Sequence, residues 1–351
     1  MTTFIDKNSL IQTDKILEPI KLKHNENPLG PSLAAIKAAK QALLECHRYP
    51  CSEGLTLKTR LAAHLEISPQ TITLGNGSEG LLELLAKTYI NSKASVVIPN
   101  YSFLGIVKII EKTGAELRIA ANTDKDIKAS QILEAIHFST KIIFIVNPNN
   151  PTGTYINAIE LTYLLDNLPA HILIVIDEAY AEYVEACDYP GTIKLIEKYP
   201  NLIVSRTFSK FYGLAGLRLG YMISHPKISS NLNQHCLPFT VNSIALAAAE
   251  AALCDHEHAK STYLLNQQGR NQLIHGLEYL SLTVNPSHTN FVCVDLKQDS
   301  QTLCKQLLSY GIHVRPLHDY GLPRHLRISI GLRKDNQYLL EVLCNILYNR
   351  P

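Results

Sequence analysis

Two unbroken runs of mostly branched apolar residues, Ile142-Ile143-Phe144-Ile145-Val146 and Ile172-Leu173-Ile174-Val175-Ile176, constrain this chain more than any other feature. Neither alternates with polar residues, so neither suits a strand with one wet face. Both suit strands covered on two sides, the habit of a mostly parallel sheet flanked by helices. They predict strands over Lys141–Val146 and His171–Asp177, joined by shorter β-branched runs at Thr71–Leu74, Ser95–Pro99, Asn201–Ser205 and Leu217–Ser224. Helix-patterned stretches lie between several of them, which makes the central unit α/β. Helix is expected over Ser243–Leu253 and onward to about Leu280. A second set of strand-like runs, Asn290–Asp295, Gly311–Arg315 and Leu326–Ile330, precedes a last helix near Asn336–Leu347 and marks a smaller α+β domain. The expected division is an N-terminal arm with part of the small domain at 1–45, a large domain at 46–255 and a C-terminal small domain at 256–351. The polar, proline-rich stretch from Lys23 to Pro31 cannot form a regular helix and should pack as an extended arm.

Composition narrows the partners. Apolar residues make up 46% and no run of eighteen occurs, so the chain has material for a core but no membrane span is expected. Lys plus Arg exceeds Asp plus Glu by two, 33 against 31, without a basic block, which argues for a small-molecule partner rather than nucleic acid. The opening MTTFIDKNSLIQTDK lacks the features of a secretory signal, and a cytoplasmic protein is expected. Eight scattered cysteines contain no CxxC pair and are read as small apolar fillers; His256-Glu257-His258 is read as a solvated helix surface, with no metal.

Four segments carry chemistry. Gly75-Asn76-Gly77-Ser78-Glu79-Gly80 follows a strand and opens a helix, where free backbone N–H groups make an anion site. Asn147-Pro148-Asn149-Asn150-Pro151-Thr152-Gly153 forces an irregular loop at a buried strand's C-terminal end, where open α/β sheets bind ligands. Asp177-Glu178-Ala179-Tyr180 sets an acid at the end of another buried strand, a position that calls for a cationic partner such as a protonated pyridine nitrogen. In the segment from Ser205 to Gly220, Lys210 lies among apolar and aromatic neighbours that can lower its amine pKa and make it a nucleophile toward an aldehyde. Thr207, Ser209 and Arg218 in that segment could close round a phosphate.

In this order and over nearly the whole chain, these segments resemble the fold-type I aminotransferases, which use pyridoxal 5'-phosphate. HNENPLGPS, Arg48-Tyr49-Pro50, VRPLHDYGLP at 314–323 and LRISIG at 326–331 are similar, more narrowly, to the histidinol-phosphate aminotransferase family. The resemblance implies that Lys210 carries the cofactor covalently and moves the substrate's α-proton, while Asp177 pairs with the ring nitrogen. Asn150 and Tyr180 would bond the ring's phenolic oxygen and Tyr101 would stack on the ring. The amides of Ser78 and Glu79, with Thr207, Ser209 and Arg218, would hold the cofactor phosphate. Tyr49 would reach that phosphate from the other subunit of a homodimer. Arg327 would bind the amino acid's carboxylate, and Arg315 would lie near the phosphate of histidinol phosphate. The implied reaction is amino transfer between L-histidinol phosphate and 2-oxoglutarate, in histidine biosynthesis.

The chain departs from the family twice. Relatives often have aspartate where Glu79 stands, and many have an arginine and an asparagine in the segment that reads here Cys236-Leu237-Pro238-Phe239-Thr240-Val241-Asn242. Loss of positive charge there would leave a more apolar pocket, so an aromatic-amino-acid aminotransferase stays open, with threonine-phosphate decarboxylase as a further relative. A non-catalytic cofactor-sensing module would need a helix-turn-helix ahead of the fold, and motif-bearing sequence already begins by about Lys21.

Overall fold

The computed structural model describes residues 19–121 and 127–348. The reading of the opening MTTFIDKNSLIQTDK, and the first part of segment 1–45, lie outside the described residues. Seven strands form the large sheet: β2 (Ile72–Gly75), β3 (Ser95–Pro99), β4 (Glu116–Ala120), β5 (Thr140–Val146), β6 (Leu173–Asp177), β7 (Leu202–Thr207) and β8 (Gly220–Ser224). Their order is β2-β8-β7-β6-β5-β3-β4; the run from β7 to β4 is parallel and β8 is antiparallel to both its neighbours.

The two apolar runs explain this position. Ile143, Ile145, Ile174 and Ile176 enter the core on one face, and Ile142, Phe144, Val146 and Val175 enter the core on the other, so both faces must be covered. Helices α1 (Leu33–Leu43), α2 (Leu55–Leu65), α5 (Ala129–Glu134), α6 (Ala158–Asn167) and α8 (Ser243–Leu253) contribute to the first core. On the second face lie α3 (Gly77–Tyr89), α4 (Leu104–Thr113) and α7 (Pro226–His235). Local chemistry starts several of these helices: Ser32 caps α1 through Ala35 N at 3.1 Å, and Asn242 caps α8 through Ala245 N at 2.8 Å. Residues 33–43, placed from sequence in the segment that includes the arm, pack as α1 against α8.

The C-terminal unit has its own core, with Leu273, Leu277, Val292, Val294, Leu326 and Ile328 among its residues. Its antiparallel sheet, ordered β12-β13-β10-β9, comprises β9 (Thr283–Val284), β10 (Phe291–Asp295), β12 (Arg315–Leu317) and β13 (Leu322–Ser329). Around it lie α9 (His256–Tyr279), α10 (Ser300–Ser309) and α11 (Arg333–Tyr348). The arm enters through β1 (Ile20–Lys21), which pairs parallel with β11 (Ile312–His313).

Several local expectations need correction. The strand expected over Leu217–Ser224 begins only at Gly220, because 215–217 form a short helical turn and Arg218 has φ 53°. Gly311–Arg315 is two strands that join different sheets, and Leu326–Ile330 is the end of the longer β13. Sequence reading missed β4, an edge strand whose residues are largely exposed and so lack a buried run. Four of the cysteines read as apolar fillers, Cys46, Cys51, Cys187 and Cys254, are exposed. His258 is half-buried rather than solvated, its ring 3.2 Å from the Gly30 carbonyl. Among the described residues no helix is long and apolar enough to cross a membrane.

Candidate active site

The site lies where β5, β6 and β7 end side by side. Val146 pairs with Asp177 and Asp177 with Ser205, so the loops that follow these parallel strands emerge at one edge. This is where an open α/β sheet presents loops to a ligand. Successive side chains on a strand face opposite ways. Asp177 therefore points to the face that carries Val175, and Glu178 to the face that carries Ile176. Asp177 is 5% exposed and its Oδ1 has no hydrogen-bond partner among the described residues. Burial, helped by the charges of Glu79 and Glu178, pushes its carboxyl up to about 7. A buried acid with an unpartnered oxygen fits a ligand that brings a positively charged N–H.

The asparagine–proline loop is braced by its own side chains. Asn147 Oδ1 accepts from Ile156 N at 2.9 Å, and Asn149 donates to Thr152 Oγ1 at 2.9 Å and to the Tyr101 carbonyl at 3.2 Å. Tyr101 sits at φ 58°, half-buried, with its ring beside Cys293, Leu317 and Tyr320. Asn150 is held between two groups from elsewhere: its Oδ1 accepts from Arg327 Nη1 at 2.5 Å, and its Nδ2 lies 3.5 Å from the Tyr180 hydroxyl. Tyr180 also accepts a hydrogen bond from Asn25 Nδ2 at 2.9 Å, and burial raises its phenol to about 12, so it remains protonated.

The glycine turn builds an anion cradle. Gly220 pairs with both Gly75 and Thr207, which draws β2, β7 and the start of α3 together. A Cβ at Gly220 would lie 2.5 Å from Ser78 N, so only glycine permits this approach. Asn76 makes no side-chain cap at the start of α3, which leaves the first-turn amides, those of Ser78 and Glu79 included, free for an anion. Arg218 reaches the cradle, with Nη1 3.4 Å from Ser209 Oγ and Nη2 3.8 Å from Glu79 Oε2. Thr207 Oγ1 accepts from Ser209 N at 3.1 Å and fixes the hydroxyl-bearing turn. Glu79 thus keeps its amide in the cradle while its longer side chain meets Arg218.

Lys210 follows at once. It is half-buried, its Nζ donates to the His24 carbonyl at 2.9 Å, and burial together with the charge of Arg327 lowers the amine to about 8. About a tenth of it is then neutral near pH 7, which makes it a usable nucleophile and base.

Arg327 is 7% exposed, donates to the Lys23 carbonyl at 2.7 Å and lies over the Phe291 ring at 5.4 Å. Its Nε has no partner among the described residues. Directly opposite it across β12 and β13 stands Arg315, which pairs with Asp319 at 2.5 Å. Like charges set opposite one another repel. An anion between them would reverse that sign.

Tyr49 joins none of these groups. It is 82% exposed and stacks on Phe239 with centroids 4.6 Å apart. The segment at 236–242 is largely exposed, and buried Lys58 places a positive charge near Cys236. Sequence reasoning missed Asn25, Arg206 and Tyr320. Asn25 gave the best signal, an asparagine in a polar arm that is nonetheless 1% exposed and sits at φ 57°.

Comparison with known proteins agrees with this geometry. The family model for aminotransferase class I and II matches residues 18–343. Histidinol-phosphate aminotransferase 1 of Nitrosococcus oceani is 44% identical over 330 residues, covering 93% of this chain and 89% of the relative. Histidinol-phosphate aminotransferase 2 of Pseudomonas fluorescens has the same identity and coverage. The solved histidinol-phosphate aminotransferase of Sinorhizobium meliloti, in complex with pyridoxal-5'-phosphate, superposes with a TM-score of 0.89 at 29% identity, covering 95% of this chain and 92% of that one.

Proposed function

The chain belongs to the class I and II aminotransferase family, and we propose that it transfers the amino group of L-histidinol phosphate to 2-oxoglutarate, giving imidazole-acetol phosphate and glutamate in histidine biosynthesis. The observation that carries the substrate is the pair Arg315 and Arg327, opposed on neighbouring strands. Two facing guanidinium groups suit a dianion better than a lone carboxylate, and Arg is the side chain that grips phosphate by two donors. Tyr320, under the charges of both arginines, closes the same end of the site. An aromatic amino acid would present only a singly charged carboxylate there, where histidinol phosphate presents a phosphate dianion.

The cofactor is pyridoxal 5'-phosphate, and the residues fit it: the unpartnered Asp177 oxygen for the ring nitrogen, the free amides of α3 with Thr207, Ser209 and Arg218 for the phosphate. When bound, it supplies an electron sink for the pair left when the donor's α-proton departs. Asp177 would hold a proton at the ring nitrogen. Asn150 and Tyr180 would bond the phenolic oxygen, and Tyr101 would stack on the ring. Lys210 would hold the cofactor in the resting protein, and its Nζ would take the α-proton. Arg327 would orient the carboxylate of the amino-acid partner and Arg315 the phosphate of histidinol phosphate.

The protein acts as a homodimer in the cytoplasm on small molecules, an amino donor and a 2-oxo acid. Tyr49, largely exposed although its ring stacks on Phe239, reaches the cofactor phosphate of the partner subunit. The division into segment 1–45, a large domain at 46–255 and a small domain at 256–351 belongs to the same proposal. The test is spectroscopic. Histidinol phosphate added to the yellow, cofactor-loaded protein should bleach its visible band while phenylalanine leaves it; bleaching by phenylalanine alone would instead make it an aromatic-amino-acid aminotransferase.

A further inference from the structure

Behind the sheet from the cofactor face lies a buried ion pair. Glu178 is 0% exposed, and its Oε2 accepts from Arg206 Nη2 at 2.7 Å and from Arg206 Nε at 3.0 Å. The two residues share a face: Glu178 has the parity of Ile176 on β6 and Arg206 that of Val204 on β7. Glu178 N also donates to the Ser205 carbonyl at 2.8 Å, so backbone and side chain together fasten the end of β6 to β7. Asp177 and Thr207, both at the cofactor site, are the immediate neighbours of this fastening.

The charges around it are of both signs. Asp177 is faced by Glu79 from α3, by Glu178 from its own strand end and by Lys210 from the loop after β7. Arg206 is faced by Glu178 and Glu182, by the phenols of Tyr189, Tyr212 and Tyr221, and by His64 from α2; Tyr189 also faces Glu178. An unpaired carboxylate at 178 would oppose a second negative charge one residue away. Paired, it is partly offset, and what remains is the contribution by which Glu178 helps raise the carboxyl of Asp177.

We propose that the Glu178–Arg206 pair is a positioning element that fixes Asp177 against the cofactor, the guanidinium offsetting enough of the charge on Glu178 for the carboxyl at 177 to ionise in its buried place. This rests on the reading that Asp177 meets the cofactor's ring nitrogen. Neither Glu178 nor Arg206 touches the reacting atoms.

The proposal is tested by stripping the full-length protein of cofactor and measuring its affinity for pyridoxal 5'-phosphate across a pH series. Asp177 and the ring nitrogen share one proton when bound. Below the pH at which Asp177 of the free protein takes up a proton, one of two protons must leave, so affinity falls about tenfold per pH unit. That break is expected near 7 in the unaltered protein. Arg206→Gln leaves the charge of Glu178 unbalanced and should move the break up by about one pH unit, whereas Glu178→Gln leaves that of Arg206 unbalanced and should move it down. The double variant Glu178→Gln with Arg206→Gln is neutral again and should bring it back. If all three variants weaken affinity equally at every pH and leave the break in place, the pair is only structural and the proposal falls. If the unaltered protein binds no pyridoxal 5'-phosphate, the cofactor reading itself is what fails.

Discussion

The side-chain amide of Asn25 donates to the phenol oxygen of Tyr180 at 2.9 Å, across 155 positions of sequence. Through this bond the N-terminal arm becomes part of the site. The arm is held on its other side as well: Asn25 N donates to Ser329 Oγ at 2.9 Å, Ser329 Oγ donates to Asn25 Oδ1 at 3.0 Å, and Asn290 Nδ2 donates to the Asn25 carbonyl at 2.9 Å. Asn25 thus links the large unit's Tyr180 to the small unit's β13.

Asn25→Ala should lower stability by about 1–3 kcal/mol, because in a buried setting it strands Ser329 Oγ without its acceptor and leaves the Tyr180 hydroxyl only the long 3.5 Å contact from Asn150 Nδ2. Denaturant unfolding measures this. A variant as stable as the parent would mean that the arm is docked by other contacts.

Lys210→Ala should still bind pyridoxal 5'-phosphate, since the phosphate cradle is intact, but sustained turnover should fall by roughly 10⁴-fold or more with loss of both the base and the covalent anchor. Multiple-turnover kinetics with glutamate as donor decide it. Near-normal turnover would show that another amine does the work.

Arg315→Ala separates the two anions. It should raise KM for histidinol phosphate by roughly 10–100-fold, the loss expected for one charge-assisted contact of about 1.5–3 kcal/mol, while KM for glutamate changes less. The variant relieves the repulsion with Arg327 but also loses the partly exposed ion pair with Asp319, so its unliganded stability should change by no more than about 1 kcal/mol. Equal losses for both donors would place Arg315 outside phosphate recognition.

Gly220→Ala should destroy cofactor affinity. The added Cβ would meet Ser78 N at 2.5 Å and the Gly77 carbonyl carbon at 2.8 Å, both backbone atoms that cannot swing aside. Titration with pyridoxal 5'-phosphate reads the effect, and full affinity in the variant would show that the start of α3 does not hold the phosphate.

The cofactor-free protein should lose stability as pH rises from about 4 to about 7. Asp177, at about 7 when folded against an ordinary 3.8, keeps a proton in that window which the unfolded chain has released. The contribution is complete below about 4 and gone above about 7, and is on the order of 4 kcal/mol. Asp177→Asn lacks this titration, so the difference between the two proteins' thermal unfolding across the window isolates it. A pH-independent difference would refute the burial argument.

Much of this protein was written in short-range chemistry. The unbroken runs at 142–146 and 172–176 required a sheet covered on both faces, since no wet-faced strand tolerates five apolar residues in succession. The strings that end those strands marked the site, because glycine, asparagine–proline steps and a strand-end acid each have a local physical consequence. Lys210 could be named for the same reason.

Other features depended on distance in space rather than in sequence. That Asn25 meets Tyr180, that Arg206 balances Glu178 behind Asp177, and that Arg315 faces Arg327 are consequences of register and of chain crossings that no local pattern encodes. Leu217 looked like strand, yet it closes a short helical turn, and the left-handed Arg218 that follows brings its guanidinium back to Ser209. Periodicity reports which face of an element is buried, and therefore determined the sheet; hydrogen bonds and charges act between whatever folding brings within a few ångströms, and therefore only the tertiary structure could decide the partners.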